Sequence, residues 1–262
     1  MMSFRINTNV ANLRLEPKFN SEKISQVLFN EPVEVLKKGE DYSFVRLSDN
    51  YEGYLKNNFI SRDDDQEAGD HIVSASIAIA YTGGDERAPA ATMLPFTAMV
   101  KAKKRANNFV VTFSSRFGEI YIVADDLVPV GQTPILSRAT MPIFMDSIRR
   151  FIGVPYLWGG KSFFGFDCSG FAQTNFKFFG INLPRDTKDQ INCGKEIKRQ
   201  DIQPGDLLFF KRHVAIAISD KSFIHSSSST NGVYINSFDK SKGNYLKHLD
   251  EGFITARRVI ED

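Results

Sequence analysis

The segment VPYLWGGKSFFGFDCSGFAQ, residues 154–173, determines how the C-terminal half of the chain folds. It contains Cys168 and leads into Phe171–Phe179, an apolar run closed by Gly180 that predicts a buried helix. If the helix begins near Cys168, the thiol lies in the first turn, where unpaired N–H groups and the helix dipole favour the thiolate. The pattern predicts a reactive cysteine; a buried, inert cysteine is the alternative.

Two histidines give this cysteine a possible base. His213 and His225 lie on the apolar stretches HVAIAI and SFIH, on either side of the turn Ser219–Lys221. A hairpin about this turn would place them directly opposite each other, with Cβ atoms about 5 Å apart. One imidazole would then accept the thiol proton while the other fixes its tautomer. The alternative is two unrelated polar residues on a strand pair.

The remaining histidines and the second cysteine have no comparable setting. We expect His71 and His248 to be surface or structural residues, and Cys193, in the polar stretch QINCGKE, to take no part in the chemistry. One cysteine and two histidines at these spacings match no common zinc pattern, so we predict neither a metal site nor a cofactor.

The composition is that of a soluble globular protein. The chain has 262 residues, 42% of them hydrophobic and 24% charged, which is enough for two or three domains. Its net charge of +2 gives no reason to expect nucleic acid as a partner. No stretch approaches the roughly 18 apolar residues of a membrane span, so we expect no membrane partner.

Cysteine usage and the N-terminal segment predict the compartment. Two cysteines are too few for a disulfide framework in a protein of this size. The opening MMSFRINTNVANLRL has neither an apolar run nor a small-residue cleavage site. We therefore expect a reduced, cytoplasmic protein.

Turn residues divide the chain into three parts. Residues 4–61 predict short strands in a small barrel, and the acidic run Arg62–Asp70 predicts a linker. Residues 71–130 predict a second β-rich stretch, including one strand over His71–Ala80. From residue 141 onwards, a helix over Pro142–Ile152 precedes a run of strands, which is an α+β layout.

The C-terminal part resembles a known family. The blocks INLPRDTKDQ (181–190), QPGDLLFFKRHVAIAI (203–218) and FIHSS (223–227) follow the opening segment in order. Together they resemble the NlpC-type, papain-like cysteine peptidases of bacterial cell-wall metabolism, over roughly residues 141–258. The resemblance implies that Cys168 is the nucleophile, that His213 is the base and that His225 is the third member. It also implies that Tyr156 helps to stabilise the oxyanion together with the Cys168 backbone N–H.

The N-terminal part is similar to a bacterial SH3-type domain. This similarity rests on the blocks NLRLEP (12–17), SQVLFNEPVEVL (25–36) and YSFVRLSDNYEGYL (42–55). An SH3-type domain before an NlpC-type domain resembles the γ-D-glutamyl-L-diamino acid endopeptidases. These cut murein stem peptides between γ-D-Glu and the diamino acid, such as meso-diaminopimelate, and prefer a free N-terminal L-Ala.

The resemblances imply a multidomain chain. We expect two small all-β SH3-like barrels, at 1–62 and 71–130, followed by an α+β papain-like catalytic domain at 141–262. The expected partner is the murein stem peptide L-Ala-γ-D-Glu-diamino acid, cut by a monomer during cell-wall peptide recycling. A non-catalytic peptidoglycan-binding module and a papain-like amidase or acyltransferase are the alternatives.

The resemblance also implies a substrate site. A free ammonium in a closed pocket needs carboxylate partners, because a buried unpaired charge costs about 3–5 kcal/mol. The implied partners are the carboxylates of Asp167 and Glu31 and the hydroxyl of Tyr51. Other pocket residues carried over from the family are Trp158, Ser169, Arg185 and Thr187. The hydroxyl of Thr187 is implied to bind the D-Glu α-carboxylate. Core packing of Trp158 and a surface ion pair of Arg185 are the alternative interpretations of those two residues.

Overall fold

A computed structural model describes residues 4–62 and 67–260. The chain forms two compact units, Met1–Thr133 and Pro134–Asp262. Within the described ranges, strands predominate and only four α-helices occur, none of them long and apolar enough to cross a membrane. Positions 63–66 of the predicted linker lie outside the described residues.

The first unit opens with seven antiparallel strands in one sheet, in the order β3-β2-β6-β5-β4-β1-β7. The strands are β1 Phe4–Ile6, β2 Val10–Arg14, β3 Lys23–Leu28, β4 Pro32–Lys37, β5 Tyr42–Leu47, β6 Glu52–Lys56 and β7 Ile60–Arg62. Every second residue of β5 is buried, as the alternation of its sequence predicts. The buried side chains Ile6, Leu13, Val45 and Leu55 form a core with their neighbours.

Eight further strands complete the first unit in a five-stranded and a three-stranded sheet. They are β8 His71–Val73, β9 Ile77–Tyr81, β10 Ala90–Pro95, β11 Met99–Val100, β12 Lys104–Ala106, β13 Phe109–Ser114, β14 Gly118–Val123 and β15 Leu127–Pro129. The single strand predicted over His71–Ala80 is wrong. The chain leaves one sheet after β8, because the N–H groups of Ser74 and Ala75 bond to the Asp126 carbonyl, and joins the other at β9.

The second unit is an α+β domain. Its helices are α1 Met141–Arg149, α2 Cys168–Phe178, α3 Thr187–Gln190 and α4 Lys247–Glu251. Its strands are β16 Lys161–Ser162, β17 Gly165–Phe166, β18 Lys195–Ile197, β19 Leu207–Phe210, β20 His213–Ala217, β21 Ser222–Ser227, β22 Gly232–Ser237 and β23 Phe253–Arg258. Six of these strands form a sheet in the order β18-β23-β19-β20-β21-β22, and α2 packs against β20 and β21.

Phenylalanines form the core around α2. Phe144 of α1 contacts Phe176 and Phe179, with ring centroids 4.9 and 5.1 Å apart. Phe166 and Phe171 meet edge to face at 5.5 Å. Aromatic pairs in this geometry add to the stabilisation that area burial provides. This aromatic core packs around the helix whose first residue is Cys168.

Candidate active site

Asp167 caps the helix that begins with Cys168. Its backbone is extended and its Oδ1 accepts a hydrogen bond of 2.6 Å from the Gly170 N–H, which satisfies one of the orphan donors of the first turn. Cys168 stays partly exposed, and the backbone N–H groups of Val214 and Ser169 donate hydrogen bonds to its sulfur. The thiol therefore lies between the start of α2 and strand β20.

Two glycines of the opening segment allow a close backbone approach at this point. The Asp167 N–H donates to the Gly160 carbonyl at 3.1 Å. A Cβ on Gly170 would lie 2.1 Å from that carbonyl oxygen, a distance that real Cβ atoms do not adopt. The Gly159 N–H donates to Asp167 Oδ2 at 2.9 Å. The glycines of the Trp-Gly-Gly and Cys-Ser-Gly blocks thus position the capping carboxylate.

His213 and His225 contact each other, but not in the predicted register. Their strands pair with Ile216 opposite Ile224 and Ala217 opposite Phe223. If this register continues along both strands, Ala215 lies opposite His225, and His213 lies two residues away from that position. The prediction that the two histidines face each other directly is therefore wrong. The turn is centred one residue later than predicted, and the rings meet across the diagonal, which aromatic side chains can span.

The two imidazoles form a direct hydrogen bond. His213 Nε2 lies 2.7 Å from His225 Nδ1, and the ring centroids are 4.9 Å apart. His225 is fully buried, and its Nε2 lies 2.9 Å from Oδ1 of Asn236. The sequence interpretation missed Asn236, because a single asparagine in a short strand carries no motif. Its signal would have been a polar residue at a buried strand position.

Burial keeps both histidines neutral. It lowers the pKa of His213 to about 3, a value to which the charges of His225 and His248 contribute smaller amounts. It also lowers the pKa of His225 to about 4, although the hydrogen bond to Asn236 acts in the opposite direction. A neutral imidazole has one nitrogen with a proton and one with a lone pair. Each imidazole therefore has a lone pair at neutral pH, and the lowered pKa makes it a weaker base than an exposed histidine.

The resting cysteine is a thiol. Burial raises its pKa above the ordinary value, the charge of Asp167 raises it further, and the hydrogen bonds from Val214, Thr187 and Ser169 only partly offset this. The Ser169 N–H of the first turn favours the thiolate, as predicted, but desolvation outweighs this contribution to the pKa of Cys168. A thiol becomes a nucleophile when a base takes its proton, so Cys168 would need such a base nearby.

Tyr156 has the properties of a hydrogen-bond donor. Burial, followed by the charges of Cys168 and Asp167, raises the pKa of Tyr156 to about 12. The phenol therefore keeps its proton at neutral pH. A neutral phenol near the sulfur can donate to a developing oxyanion.

Arg185 pairs with Asp167 in the interior. Its Nη2 and Nη1 lie 2.5 and 3.1 Å from the two carboxylate oxygens, and Nη1 also donates to Ser169 Oγ at 2.8 Å. Both charged side chains are buried, so the surface ion pair considered for Arg185 is wrong. Gln190, which the sequence interpretation missed, donates to the carbonyls of Ser169 and Pro184.

The other predicted residues of this unit lie near the thiol or at the surface. Thr187 Oγ1 is 3.8 Å from Cys168 Sγ. Trp158 is 54% exposed, so core packing does not explain it. His248 is exposed on α4, and Cys193 is partly exposed. Among residues 4–62 and 67–260, no group of three or more His, Cys, Asp or Glu side chains is arranged to hold a metal ion.

Glu31 and Tyr51 belong to the first unit. Glu31 is buried, and its Oε2 accepts a 2.8 Å hydrogen bond from the Leu28 N–H. Tyr51 is half-buried next to the β5–β6 turn, where its N–H donates to Asp49 Oδ1. His71, in the same unit, contacts Asp70 at 2.8 Å.

The sequence of this chain is similar to those of known proteins over most of its length. Residues 153–250 match the NlpC/P60 family, and residues 9–61 match the bacterial SH3 domain. A gamma-D-glutamyl-L-lysine dipeptidyl-peptidase of Bacillus subtilis (strain 168) is 32% identical over 228 residues, covering 80% of this chain and 74% of the relative. The chain belongs to the NlpC/P60 family. It is therefore a cysteine peptidase of a family of peptidoglycan hydrolases.

Two further known proteins are similar to this member of the NlpC/P60 family over nearly its whole length. Dipeptidyl-peptidase 6 of Lysinibacillus sphaericus is 28% identical over 252 residues, which is 92% of this chain and 93% of the relative. The crystal structure of an NlpC/P60 family protein from Bacillus cereus ATCC 10987 has a TM-score of 0.83, with 21% identity over 99% of this chain and 100% of the other, and so shares the fold. The predicted family, the first SH3-type domain and the peptidase class are confirmed.

Proposed function

We propose that this chain is an endopeptidase that hydrolyses the bond between γ-D-Glu and the diamino acid of murein stem peptides with a free N-terminal L-Ala. One observation carries the proposal. Cys168 is the first residue of a helix capped by Asp167, and it lies next to β20, whose first residue His213 forms a hydrogen bond with the buried His225. The dipeptidyl-peptidase name of the Bacillus subtilis relative supports the choice of bond.

The proposed reaction uses the proton transfers that the site allows. His213 takes the thiol proton as Cys168 Sγ attacks the γ-carbonyl carbon of D-Glu, and the Tyr156 hydroxyl and the Cys168 N–H stabilise the oxyanion. His213 then protonates the nitrogen of the diamino acid, which leaves, and a thioester remains. A water molecule gives a proton to His213 and attacks the thioester. The tetrahedral intermediate then breaks its C–S bond, which releases the γ-carboxyl group of D-Glu, and the proton on His213 returns to the sulfur and restores the thiol.

The substrate would be recognised by its two ends. We propose that Asp167, Glu31 and Tyr51 bind the free L-Ala ammonium, and that Arg185, Ser169, Thr187 and Trp158 line the rest of the pocket. The 3.8 Å contact between Thr187 Oγ1 and the sulfur supports a place for its hydroxyl close to the reacting carbonyl. The buried Asp167–Arg185 pair supports a rigid anchor in this pocket.

We also propose the finer organisation of the chain. The eight strands β8–β15 support a second SH3-like barrel over 71–130, between the first barrel at 1–62 and the catalytic domain at 141–262. A monomer that works in the cytoplasm on recycled peptides remains a prediction from the sequence. Sedimentation and cell fractionation test these two predictions, and export to the periplasm or medium would contradict the second.

Mass spectrometry of the full chain with synthetic peptides tests the activity. The substrates are L-Ala-γ-D-Glu-meso-diaminopimelate, its L-Lys counterpart and an N-acetylated copy of each. The controls are the Cys168→Ala variant and the matched Cys193→Ala variant, which removes the other cysteine. We expect the diamino acid to be released from the free peptides only, with no release by Cys168→Ala.

Each other result points to a different conclusion. Cleavage of the acetylated peptides as well would remove the amine site and the role of Glu31 and Tyr51. No cleavage of any peptide by a folded chain would contradict the proposed bond. Amide or acyl transfer to a different acceptor would then identify the papain-like amidase or acyltransferase.

A further inference from the structure

A line of hydrogen bonds crosses three neighbouring strands of the catalytic unit. It begins on β20 with His213, passes to His225 on β21 at 2.7 Å, and reaches Asn236 on β22 at 2.9 Å. Asn236 Nδ2 then donates to the backbone carbonyl of Asn244 at 3.1 Å. Asn236 is 7% exposed and His225 is fully buried, so water does not replace these contacts.

The far end of the line sets the direction of every bond in it. The Asn244 carbonyl can only accept, so the amide of Asn236 must turn its NH₂ group towards it and its Oδ1 towards His225. Because Oδ1 can only accept, His225 carries its proton on Nε2, and its Nδ1 has the lone pair. His213 must therefore donate from Nε2, and its lone pair lies on Nδ1.

The acceptor at the far end is itself held in place. The Asn244 carbonyl also accepts the N–H of Ser237 at 3.0 Å, and the Asn244 side chain donates to the Ile235 carbonyl at 3.1 Å. The segment after β22 therefore folds back onto the strand that carries Asn236. Rotating the Asn236 amide by half a turn would set its oxygen against the Asn244 carbonyl, so this bond would be lost and two acceptors would face each other. Only this rotated amide could serve the other tautomer of His225, and the Asn244 carbonyl therefore disfavours that tautomer.

We propose that Asn236 is a positioning residue, which holds His225, and through it His213, in the tautomer whose Nδ1 is free to take the Cys168 proton. The role rests on the proposed function, since it concerns the base of that reaction. The neutral state of both histidines at pH 7 makes the choice of tautomer matter, because a protonated imidazole has no lone pair to direct.

Asn236→Ala tests the role by removing the acceptor. In full-length chain with ¹⁵N-labelled histidine, the ring-nitrogen shifts report the tautomer of each histidine without any substrate. We expect the wild type to show Nε2–H in both rings, and Asn236→Ala to show a mixture in His225. With a cleaved peptide, kcat should fall about 10- to 100-fold while KM stays unchanged. This is less than the loss of roughly 10⁴-fold seen when a triad histidine is held in the wrong tautomer.

Two further variants separate positioning from folding. Ser237→Ala removes a buried hydroxyl next to Asn236, one that bonds to the Lys221 carbonyl and not to a histidine, and should keep both the tautomers and kcat. Asn236→Asp keeps an oxygen for His225 Nε2–H, so it should restore the wild-type tautomers and raise the pH of the acidic limb of the kcat profile. This variant carries the test if Asn236→Ala does not fold.

The results that overturn the proposal are distinct from those that overturn the peptidase activity. Unmixed Nε2–H tautomers in a folded Asn236→Ala protein, or an unchanged kcat, would leave Asn236 a structural residue only. Mixed tautomers in Asn236→Asp would do the same. Failure of the wild type to cut any peptide would reject the proposed bond, while the tautomer measurement would still decide what Asn236 does.

Discussion

Asp167 caps helix α2, and both terminal nitrogens of Arg185 contact its carboxylate, Nη1 at 3.1 Å and Nη2 at 2.5 Å. The same carboxylate accepts the N–H groups of Gly170 and Gly159. Asp167 thus joins the start of α2 to the Trp-Gly-Gly turn and to the loop that carries Arg185. Bidentate contacts of this kind fix orientation as well as charge.

Breaking this pair should destabilise the catalytic unit strongly. Arg185→Met leaves the Asp167 charge in the interior without its guanidinium, and the loss of one partner of a buried pair costs about 3–5 kcal/mol. Asp167→Asn keeps a capping side chain and should show the effect of the lost charge alone. Urea unfolding of each variant measures the free energy of unfolding.

A double variant and an exposed ion pair serve as controls for that experiment. Asp167→Asn with Arg185→Met should cost less than the sum of the two single changes, because neither variant side chain then leaves a buried charge. Arg46→Met, which breaks exposed pairs with Glu34 and Glu52, should cost no more than about 1 kcal/mol. Additive losses at Asp167 and Arg185 would contradict the coupling.

Stability should fall in mild acid because of the buried histidines. In the unfolded chain, each histidine takes up a proton near its ordinary pKa of 6.5, whereas in the native chain the pKa values of His213 and His225 are about 3 and about 4. Below pH 6.5 the unfolded state therefore binds more protons, and the free energy of unfolding decreases as pH falls. The slope should approach about 1.4 kcal/mol per pH unit for each buried histidine.

The contribution of one histidine can be isolated by substitution. His225→Gln removes one proton-binding group and should reduce the slope of the unfolding free energy between about pH 6 and pH 4.5 by roughly 1.4 kcal/mol per pH unit. Equal slopes in the wild type and His225→Gln would show that His225 is protonated in the native state.

Local sequence patterns predicted those parts of the site that depend on neighbours along the chain. Gly180 and the apolar run before it predicted the helix after Cys168, and the turn near Ser219 predicted the strand pair with both histidines. The register could not be derived, because moving the turn by one residue shifts the pairing by two. A sequence pattern does not locate a turn to one residue.

Long-range pairing explains what the sequence did not predict. The strands β1 and β7 are three residues long, too short for a periodic pattern, and they pair with each other from opposite ends of the first sheet's sequence, with Phe4 opposite Arg62. The bond of Asn236 to His225 depends likewise on a diagonal between two strands. The direction of the Cys168 pKa depends on how much the packed domain desolvates the sulfur, which no local pattern contains.

The reactivity of Cys168 should follow its raised pKa. In a Cys193→Ser background, we expect the rate of alkylation by iodoacetamide to keep increasing with pH beyond the ordinary thiol pKa of 9.0, because burial holds the thiol protonated. Intact-mass measurements give the rate at each pH. A rate that levels off near neutral pH would show a resting thiolate paired with an imidazolium, and would contradict the neutral pair inferred for His213 and His225.

Removing the hydroxyl of Tyr156 should slow the chemical step and leave substrate binding unchanged. A donor to the oxyanion acts only in the transition state, so Tyr156→Phe should lower kcat by about 10²- to 10³-fold with KM nearly constant. Since the pKa of Tyr156 is about 12, the alkaline limb of the wild-type profile should lie elsewhere and persist in the variant. Tyr234→Phe, at an exposed tyrosine of β22, should match the wild type. An increase in KM alone would place Tyr156 in substrate binding and not in oxyanion stabilisation.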